Sequence, residues 1–587
     1  MSAVAPLPEN WPVMPIAHAN AGLAASESPL HLADGEVYGV PMKVYDQAPP
    51  TIRFIVEMAE AQFGEADYIV YEDERVTFAS LTRAVEHFAG ILIEKYGVQK
   101  GDRVAIIMRN YPQWPIPFFA ALSIGAIATP MNSWWTGEEL EYGLKDSGAK
   151  IAVVDTQIYE RVREHMAALP DLEAVIIARD DTEEHGDPRV TSMESLIGPV
   201  SSWAGLAKIG LPPIDIAPDD DATIMYTSGT TGRPKGALAS HRAIISNMLN
   251  SMTCQARMLL RRGEALPEPG EREPGATLLA IPFFHATGAF AILIPTLLRG
   301  DKIVSMYKWD AGKALPIIER EKVTAVGGVP AIAWQLLEHP DRDKYDLSSI
   351  GAVSYGGAPS APELVATIKK RFPEAAPGNG WGMTETCATA TLNLGEDYVN
   401  RPNSAGAPPG AVELKICEPG DGEGTPLPTG EVGELWVKGP MNCKLYWNRP
   451  DATAETFKDG WVVTGDRARV DGEGFLFLVD RAKDMLIRGG ENVYCIEVES
   501  ALYDHPAVMD AAVVGIPHKV LGEEVGAVVQ LKPGTNATED ELRAHVAEHL
   551  AAFKVPVEIQ FEAEPLPRNA NGKILKPVLR ERFEARG

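Results

Sequence analysis

A chain of 587 residues exceeds what one hydrophobic core sustains, and at about 150 residues per domain it predicts several packed units. Hydrophobic residues at 45% and charged residues at 23% exclude a disordered or fibrous chain. The net charge of −27 disfavours nucleic acid and anionic lipid as partners, though a local basic pocket stays open.

Residues 1–50 carry many prolines and little periodicity, which predicts an extended arm against a folded body. Thr51 to Phe63 reads as a helix, and IVYEDERVTF (Ile69 to Phe78) as a hairpin turning at its acidic centre. GDRVAIIM (from Gly101) is a strand, PFFAALSIGAIA (from Pro117) a helix-like run, and KIAVVD (from Lys150) a strand. Gln157 to Leu169 is a helix and AVIIA (from Ala174) a strand. That alternation predicts parallel sheets covered by helices, and it recurs in TLLAIPFF, KVTAVGGV and SIGAVSYGG. The polar run Arg261 to Gly275 reads as an exposed loop. The uncharged stretch Pro274 to Leu298 is broken by Pro282, His285 and Pro295, so it reads as buried core and not as a membrane span.

From about Val412 the chain turns to Gly-punctuated β segments, and beyond Lys483 a helix, two strands, a helix at Thr538 to Leu550 and a basic tail make a separate α+β unit. The expected fold class is α/β: an arm (1–50), a large N-terminal body of parallel-type α/β layers (51–482) with a β-rich module at about 412–482, and a smaller C-terminal α+β domain (483–587). The five cysteines show no CxxC or Cys/His spacing, and MSAVAPLPENWPVMP lacks the basic head and apolar run of a signal peptide, so a reducing, cytoplasmic location is expected.

The chemistry concentrates in short segments. MYTSGTTGRPKGA (Met225 to Ala237) joins an apolar strand end to hydroxyls, glycines and a lysine. Gly229, Gly232 and Gly236 let backbone N–H groups converge, Thr227, Ser228, Thr230 and Thr231 add donors, and Lys235 adds charge, which together suit a polyphosphate. It is not a Walker A loop, since GxxxxGK[ST] cannot be threaded through it.

This string resembles the TSGTTGxPKG loop of the adenylate-forming superfamily, which spans acyl-CoA synthetases, 4-coumarate ligases, luciferases and peptide-synthetase adenylation domains. The resemblance extends over nearly the whole chain after the arm, with its companion motifs in family order. In GNGWGMTETCA (Gly378 to Ala388) it implies that Asn379, Gly380 and Trp381 meet the adenine and that Thr384 and Glu385 attend phosphate and Mg²⁺; tyrosine is usual where Trp381 stands. It makes Gly357, Ala358 and Pro359 of SYGGAPS part of the adenine wall and acyl channel. Asp466 of WVVTGD is then the ligand of the ribose hydroxyls, Arg481 a contact to the same nucleotide, and Lys483 the hinge.

Alone in an apolar run, His285 of IPFFHATG is as readily a core histidine. The resemblance instead places it on the carboxylate side of the acyl pocket, and Ala289 stands where some long-chain relatives carry a gating tryptophan. The turn at Asn571-Gly572 presents Lys573, which the resemblance makes the adenylation lysine. IRGGENV, through Gly489 and Gly490, would line a pantetheine tunnel after the C-terminal domain rotates. The resemblance therefore implies an ATP-dependent acid–CoA ligase using Mg²⁺ and coenzyme A. Phe283, Phe284, Gly328, Val329, Trp334 and Tyr355 offer no charge to a second polar end of the acid, so a medium- or long-chain fatty acid or a hydrophobic aryl acid is expected. Transfer to a carrier protein, a non-catalytic nucleotide-binding role and a homodimer stay open.

Overall fold

The computed structural model describes all residues except 1–10, 26, 183–184, 228–232, 268–270, 358–361, 482–484, 489–490, 570–571 and 585–587, and for 480, 481, 491, 492 and 584 the backbone alone. Two eight-stranded sheets form the N-terminal body. In the first, Arg103–Ile107, Ile127–Pro130, Ala149–Asp155 and Ala174–Ala178 run parallel. Asp221–Tyr226 then pairs with antiparallel Gly236–Ser240, whose outer side is taken by the short strand Leu445–Tyr446. In the second, Lys302–Ser305, Ala276–Leu279, Ala325–Gly328, Ala352–Gly356 and Ala376–Trp381 run parallel, with Thr391–Leu394 antiparallel at one edge.

The sheets share one helical layer. Val104 and Ile106 of the first, Leu279 and Ile303 of the second, and Phe78, Phe118 and Ile244 of intervening helices belong to a single buried cluster. Helix starts are set by hydroxyl caps: Thr51 accepts from the Phe54 N–H, and Thr136 and Thr538 form reciprocal capping boxes with Glu139 and Glu541. A five-stranded β module follows, built on Glu413–Cys417, Gly433–Lys438 and Trp461–Val470. The last unit wraps a second five-stranded sheet, centred on Val508–His518 and Gly522–Leu531, around apolar clusters drawn entirely from Leu486 onward.

Four sequence expectations change. The run from Pro117 is not one helix: Pro115–Ser123 is helical, Gly125 adopts a φ of +71°, and the chain re-emerges as the strand Ile127–Pro130. The helix expected from Gln157 starts at Thr156, holds α geometry only to Val162 and tightens to a 3-10 turn over Arg163–Ala168. The N-terminal arm is not extended over its described part. It forms the helix Ile16–Ala24 and the hairpin Leu32–Val37 with Val40–Tyr45, because Ile16, Ala19 and Leu23 supply one apolar stripe that packs against the long helix His241–Arg261.

The charges opening the Arg261–Gly275 loop are not in solvent either. Arg261 is 2% exposed and donates from Nε and Nη2 to both carboxylate oxygens of Asp397 at 2.8 and 2.7 Å, and from Nη1 to the Met14 carbonyl. A buried bidentate pair is costly to break from one side, since the remaining charge keeps its desolvation penalty. Arg261→Ala should therefore destabilise the chain by about 3–5 kcal/mol in urea titration, while the double replacement Arg261→Met with Asp397→Leu should recover most of that loss. Equal destabilisation by the single and double changes would show that packing, not the unpaired carboxylate, sets the cost.

Candidate active site

The strand Ala376–Trp381 carries the nucleotide-side residues to the carboxyl end of the second sheet, where ligands of parallel sheets commonly bind. It pairs Tyr355 with Asn379 and Gly356 with Gly380, and a Cβ on Gly356 would come within 2.5 Å of the Gly380 carbonyl. Glycine there is a packing requirement. Gly357, with φ +73°, then turns the chain out of the strand.

A cleft of about 1630 Å³ opens at this end, between the N-terminal body and the C-terminal unit. Gly357, Asn379, Gly380, Trp381, Asp466 and Lys573 all line it. Six residues from four separate sequence motifs thus share one wall system. Trp381 is buried, and its indole Nε1–H donates to Asp466 Oδ2 at 2.9 Å. The polar edge of the aromatic residue therefore holds the carboxylate expected at the ribose, an arrangement that a phenol ring could not make from the same edge.

Beyond Trp381 the chain makes a tight 3-10 turn at Thr384–Thr386, after which Cys387 (φ +51°) and Ala388 (φ +92°) both sit in the left-handed region. Such strain persists only where surroundings over-determine it. Here Asn247 Nδ2 donates to the Thr386 and Thr389 carbonyls at 3.3 and 2.8 Å, and the Cys443 N–H donates to the Glu385 carbonyl at 2.8 Å. The Glu385 carboxylate is buried and accepts the Tyr446 hydroxyl at Oε1. Burial first, and the Glu385 charge second, push the Tyr446 phenol far above its ordinary range, so it stays a donor. The Lys235 ammonium stands 4.4 Å from the centre of the same Tyr446 ring. Lys235, Tyr446 and Glu385 thus form one contiguous group.

The second oxygen of Glu385 and the Thr384 hydroxyl make no hydrogen bond among the described residues. Two such hard oxygen donors beside a lysine fit a phosphate-bound Mg²⁺.

His285 is not among the residues that line the cleft, though its neighbours Pro282 and Phe284 are, and it feels the Lys573 charge. Burial and then the nearby Lys573 ammonium push its pKa down to about 4, so the ring is neutral at working pH. The Thr287 N–H approaches Nδ1 at 3.3 Å, which makes Nδ1 the acceptor and puts the ring proton on Nε2.

Lys573 is held on a braced turn. Its N–H donates to Asn569 Oδ1 at 3.0 Å, the Asn569 N–H donates to its carbonyl at 2.8 Å, and Arg568 Nη1 donates to the Gly572 carbonyl at 2.6 Å. Gly572, at φ +75°, comes so close to the N-terminal body that a Cβ would meet Val329 at 2.7 Å.

Ser228, Gly229, Thr230, Thr231, Gly232, Ala358, Pro359, Lys483, Gly489, Gly490 and Asn571 lie outside the described residues. Arg481 is described by its backbone, which pairs with Asp466 across the strands Trp461–Val470 and Leu476–Arg481. Thr227 closes the loop's base through N–H donation to the Lys235 carbonyl at 2.8 Å. Two expected acyl-pocket residues face elsewhere. Phe283, in the turn after the strand Ala276–Leu279, stacks on Trp114 in the core at 5.1 Å, and Tyr355 is hydrogen bonded to Tyr398 at 2.8 Å. Phe284, Val329 and Trp334 do line the cleft. Tyr446 went unnoticed in the sequence; the LYW in which it stands has no spacing that marks it.

The cleft at the carboxyl end of the second sheet, with Lys573 of the C-terminal unit in its wall, belongs to a chain that family models define as an adenylate-forming ligase. The model of the AMP-binding enzyme family matches residues 56–447, and that of the AMP-binding enzyme C-terminal domain matches residues 497–573. The chain belongs to the AMP-binding enzyme family, and it is an acid–thiol ligase of the acyl-CoA synthetase type. It is similar to a feruloyl-CoA synthase of Amycolatopsis sp, 36% identical over 86% of this chain and 94% of that protein. A long-chain-fatty-acid–CoA ligase of Bacillus subtilis (strain 168) is 33% identical over 90% of this chain and 94% of its own. The crystal structure of the anthranilate CoA ligase AuaEII in complex with anthranoyl-AMP superposes with a TM-score of 0.78 at 26% identity, covering 91% and 97% of the two chains. Among the described residues no helix is long and apolar enough to cross a membrane.

The indole contact has a direct consequence for ATP. Trp381→Phe keeps a ring and removes the N–H that holds Asp466, so the KM for ATP should rise about tenfold with far-UV circular dichroism unchanged. An unaltered KM would show that the ring face alone matters.

Proposed function

We propose that the protein converts a medium- or long-chain fatty acid to its CoA thioester through an acyl-adenylate, with the motif residues in the roles given below. The observation that carries the choice of acid is the part of the cleft wall made by Ile281, Pro282, Phe284, Val329, Ile332 and Trp334, which has no charged side chain. An acid with a second polar end would leave that end unpaired there. The aromatic members Phe284 and Trp334, and the likeness to a feruloyl-CoA synthase, favour a hydrophobic aryl acid as the second reading.

In the first half-reaction the carboxylate oxygen attacks the α-phosphorus of ATP, and the bond to the bridging oxygen breaks, releasing pyrophosphate. The phosphate tail is held by Thr227, Ser228, Thr230, Thr231 and Lys235 with the N–H groups freed by Gly229 and Gly232. Thr384 and Glu385 would hold the Mg²⁺ that accompanies ATP, which would supply neutralisation of the phosphate oxygens. Asn379, Gly380 and Trp381 take the adenine, with Gly357, Ala358 and Pro359 as its other wall, and Asp466 and Arg481 take the ribose. Lys573 places its compact ammonium between carboxylate and α-phosphate. Neutral His285 presents an N–H and no competing positive charge, so it orients the carboxylate without displacing Lys573.

In the second half-reaction the thiolate of coenzyme A attacks the acyl carbonyl, the acyl–phosphate bond breaks, and AMP leaves. The thiol needs the space that Lys573 fills, so the C-terminal unit from Lys483 onward turns about that residue and brings Gly489 and Gly490 to the pantetheine path. Its separate apolar clusters suit such a turn. The presence of Lys235, Glu385 and Lys573 together counts against a nucleotide-binding protein without catalysis.

With Mg-ATP and coenzyme A, octanoate and palmitate should drive AMP release with kcat/KM about tenfold or more above ferulate and 4-coumarate; the reverse order would install the aryl reading. Replacing coenzyme A by a phosphopantetheinylated carrier protein in competition distinguishes the free thiol from a carrier. Lys573→Ala should lower acid-dependent pyrophosphate exchange about 10²–10³-fold while supplied acyl-adenylate is still converted to thioester within a few-fold. Equal loss of both half-reactions would assign the residue to the scaffold.

A further inference from the structure

The helix Glu539–His549 belongs to the C-terminal unit and carries none of the motifs used above. Its last turn reads His545-Val546-Ala547-Glu548-His549. Positions i, i+3 and i+4 of a helix share a face, so two imidazoles and a carboxylate project together while Val546 is buried in the domain core. One ligand atom from each of His545, Glu548 and His549 lies within 4.8 Å of the others. The His545 and His549 rings are 4.7 Å apart.

The protons on these rings leave lone pairs to give. Nδ1 of His549 lies 2.8 Å from the His545 carbonyl oxygen, which can only accept, so Nδ1 carries the proton and Nε2 is left as a donor of electrons. Fixing one ring nitrogen on a carbonyl is the outer-shell arrangement that orients metal-binding imidazoles. His545 has no hydrogen-bond partner on its ring among the described residues, and its Nε2 is closed off from solvent. An unsatisfied buried nitrogen carries a full desolvation penalty. His505, from the end of the preceding helix Cys495–Tyr503, packs edge-on against the His545 ring at 5.1 Å and 82° and fixes its plane. It is not a ligand, because its Nδ1 accepts from the Ala507 N–H at 3.3 Å and its remaining nitrogen holds the proton.

Capping of the helix end explains the His549 Nδ1 contact but neither the His545 ring nor the convergence of Glu548. We propose that His545, Glu548 and His549 form a binding site for Zn²⁺ or a closely similar divalent transition ion, with a solvent molecule in the fourth position. Two imidazoles and one carboxylate are a zinc donor set, whereas Mg²⁺ and Ca²⁺ select oxygen ligands throughout. Ligand atoms on one tetrahedral zinc stand about 3.4 Å apart, so small rotamer changes of the exposed Glu548 and His549 side chains close the site. The ion would lie at the carbonyl end of the helix, the end that favours positive charge. His549 and Leu550 also border the catalytic cleft, which puts the ion at the rim that the C-terminal unit contributes. Binding requires neither ATP nor acid, so it is independent of the function proposed above.

The test is calorimetric titration of ZnCl₂ into tag-free, EDTA-stripped full-length protein without nucleotide. One saturable ion per chain is expected, with a raised thermal melting point, and MgCl₂ should produce neither. His549→Ala and Glu548→Gln change exposed side chains; each should weaken zinc binding about tenfold or more while leaving the zinc-free melting point unchanged. Co²⁺ in place of zinc should give d–d absorption without thiolate charge-transfer bands. Absence of saturable binding, binding indifferent to both substitutions, or a cobalt spectrum with thiolate character, which would move the ion to the cysteines, each overturns the site.

Discussion

The Glu385 carboxylate buried against the Tyr446 hydroxyl joins the two sheets of the N-terminal body beside the Lys235 ammonium. Glu385 hangs from the turn that leaves the second sheet. Tyr446 lies on the outermost strand of the first, and its ring carries Lys235. One backbone bond crosses the same seam, from the Cys443 N–H to the Glu385 carbonyl at 2.8 Å, while the Lys444 N–H to the Leu238 carbonyl at 2.8 Å and the Trp447 N–H to the Gly236 carbonyl at 2.7 Å tie the Tyr446 strand to the first sheet. A buried carboxylate is tolerated only with such partners. The result is a lysine from one sheet and a carboxylate from the other held in fixed relation before any ligand arrives, which is the kind of preorganisation that electrostatic catalysis needs.

The protein as a whole repels the ligand it is built around. At a net charge of −27 a polyphosphate meets an unfavourable far field, yet that field is screened within about 8 Å at physiological salt. What remains is the set of cations standing inside that distance, with Lys235 and Lys573 arriving from opposite sides of the chain. His285 is kept neutral first by burial and then by the Lys573 charge that it feels. Two adjacent cations would compete for one carboxylate; one cation and one uncharged N–H donor do not.

Asn379, Gly380, Trp381, Thr384 and Glu385 can be grouped from the sequence because they are nearly consecutive: GNGWGMTETCA keeps them within one strand end and one turn, so their order in sequence is nearly their order in space. The contacts between such segments were not legible. Tyr446 becomes visible only when its strand is paired to Ala237 and Leu238, and the Trp381 to Asp466 bond spans 85 residues. The expected acyl wall loses Phe283: it and Phe284 are the same residue type side by side in one turn, and only the Trp114 ring shows that Phe283 is core. The helix–strand break after Ser123 was written as Ile124-Gly125, a signal outweighed by the apolar residues on both sides.

The C-terminal unit shows how a residue can be placed accurately by a weak interface. Lys573 reaches the cleft on a turn stiffened from within by Asn569 and Arg568, so its position relative to its own domain is set locally. Across the boundary the described contacts are of another kind: the close approach of Gly572 to Val329, a 3.7 Å pair between Lys532 and Glu363, and Lys532 over the Trp334 ring at 5.2 Å. Half-exposed ion pairs of this length contribute little. The apolar clusters of the unit, meanwhile, include no residue of the N-terminal body. Separation of the two units therefore exposes no core and breaks no buried charge pair among these contacts. Because Gly572 has no side chain, the turn meets Val329 closely without a side chain locking into it, and the Lys573 ammonium gains a defined place across a boundary that buries no shared core cluster.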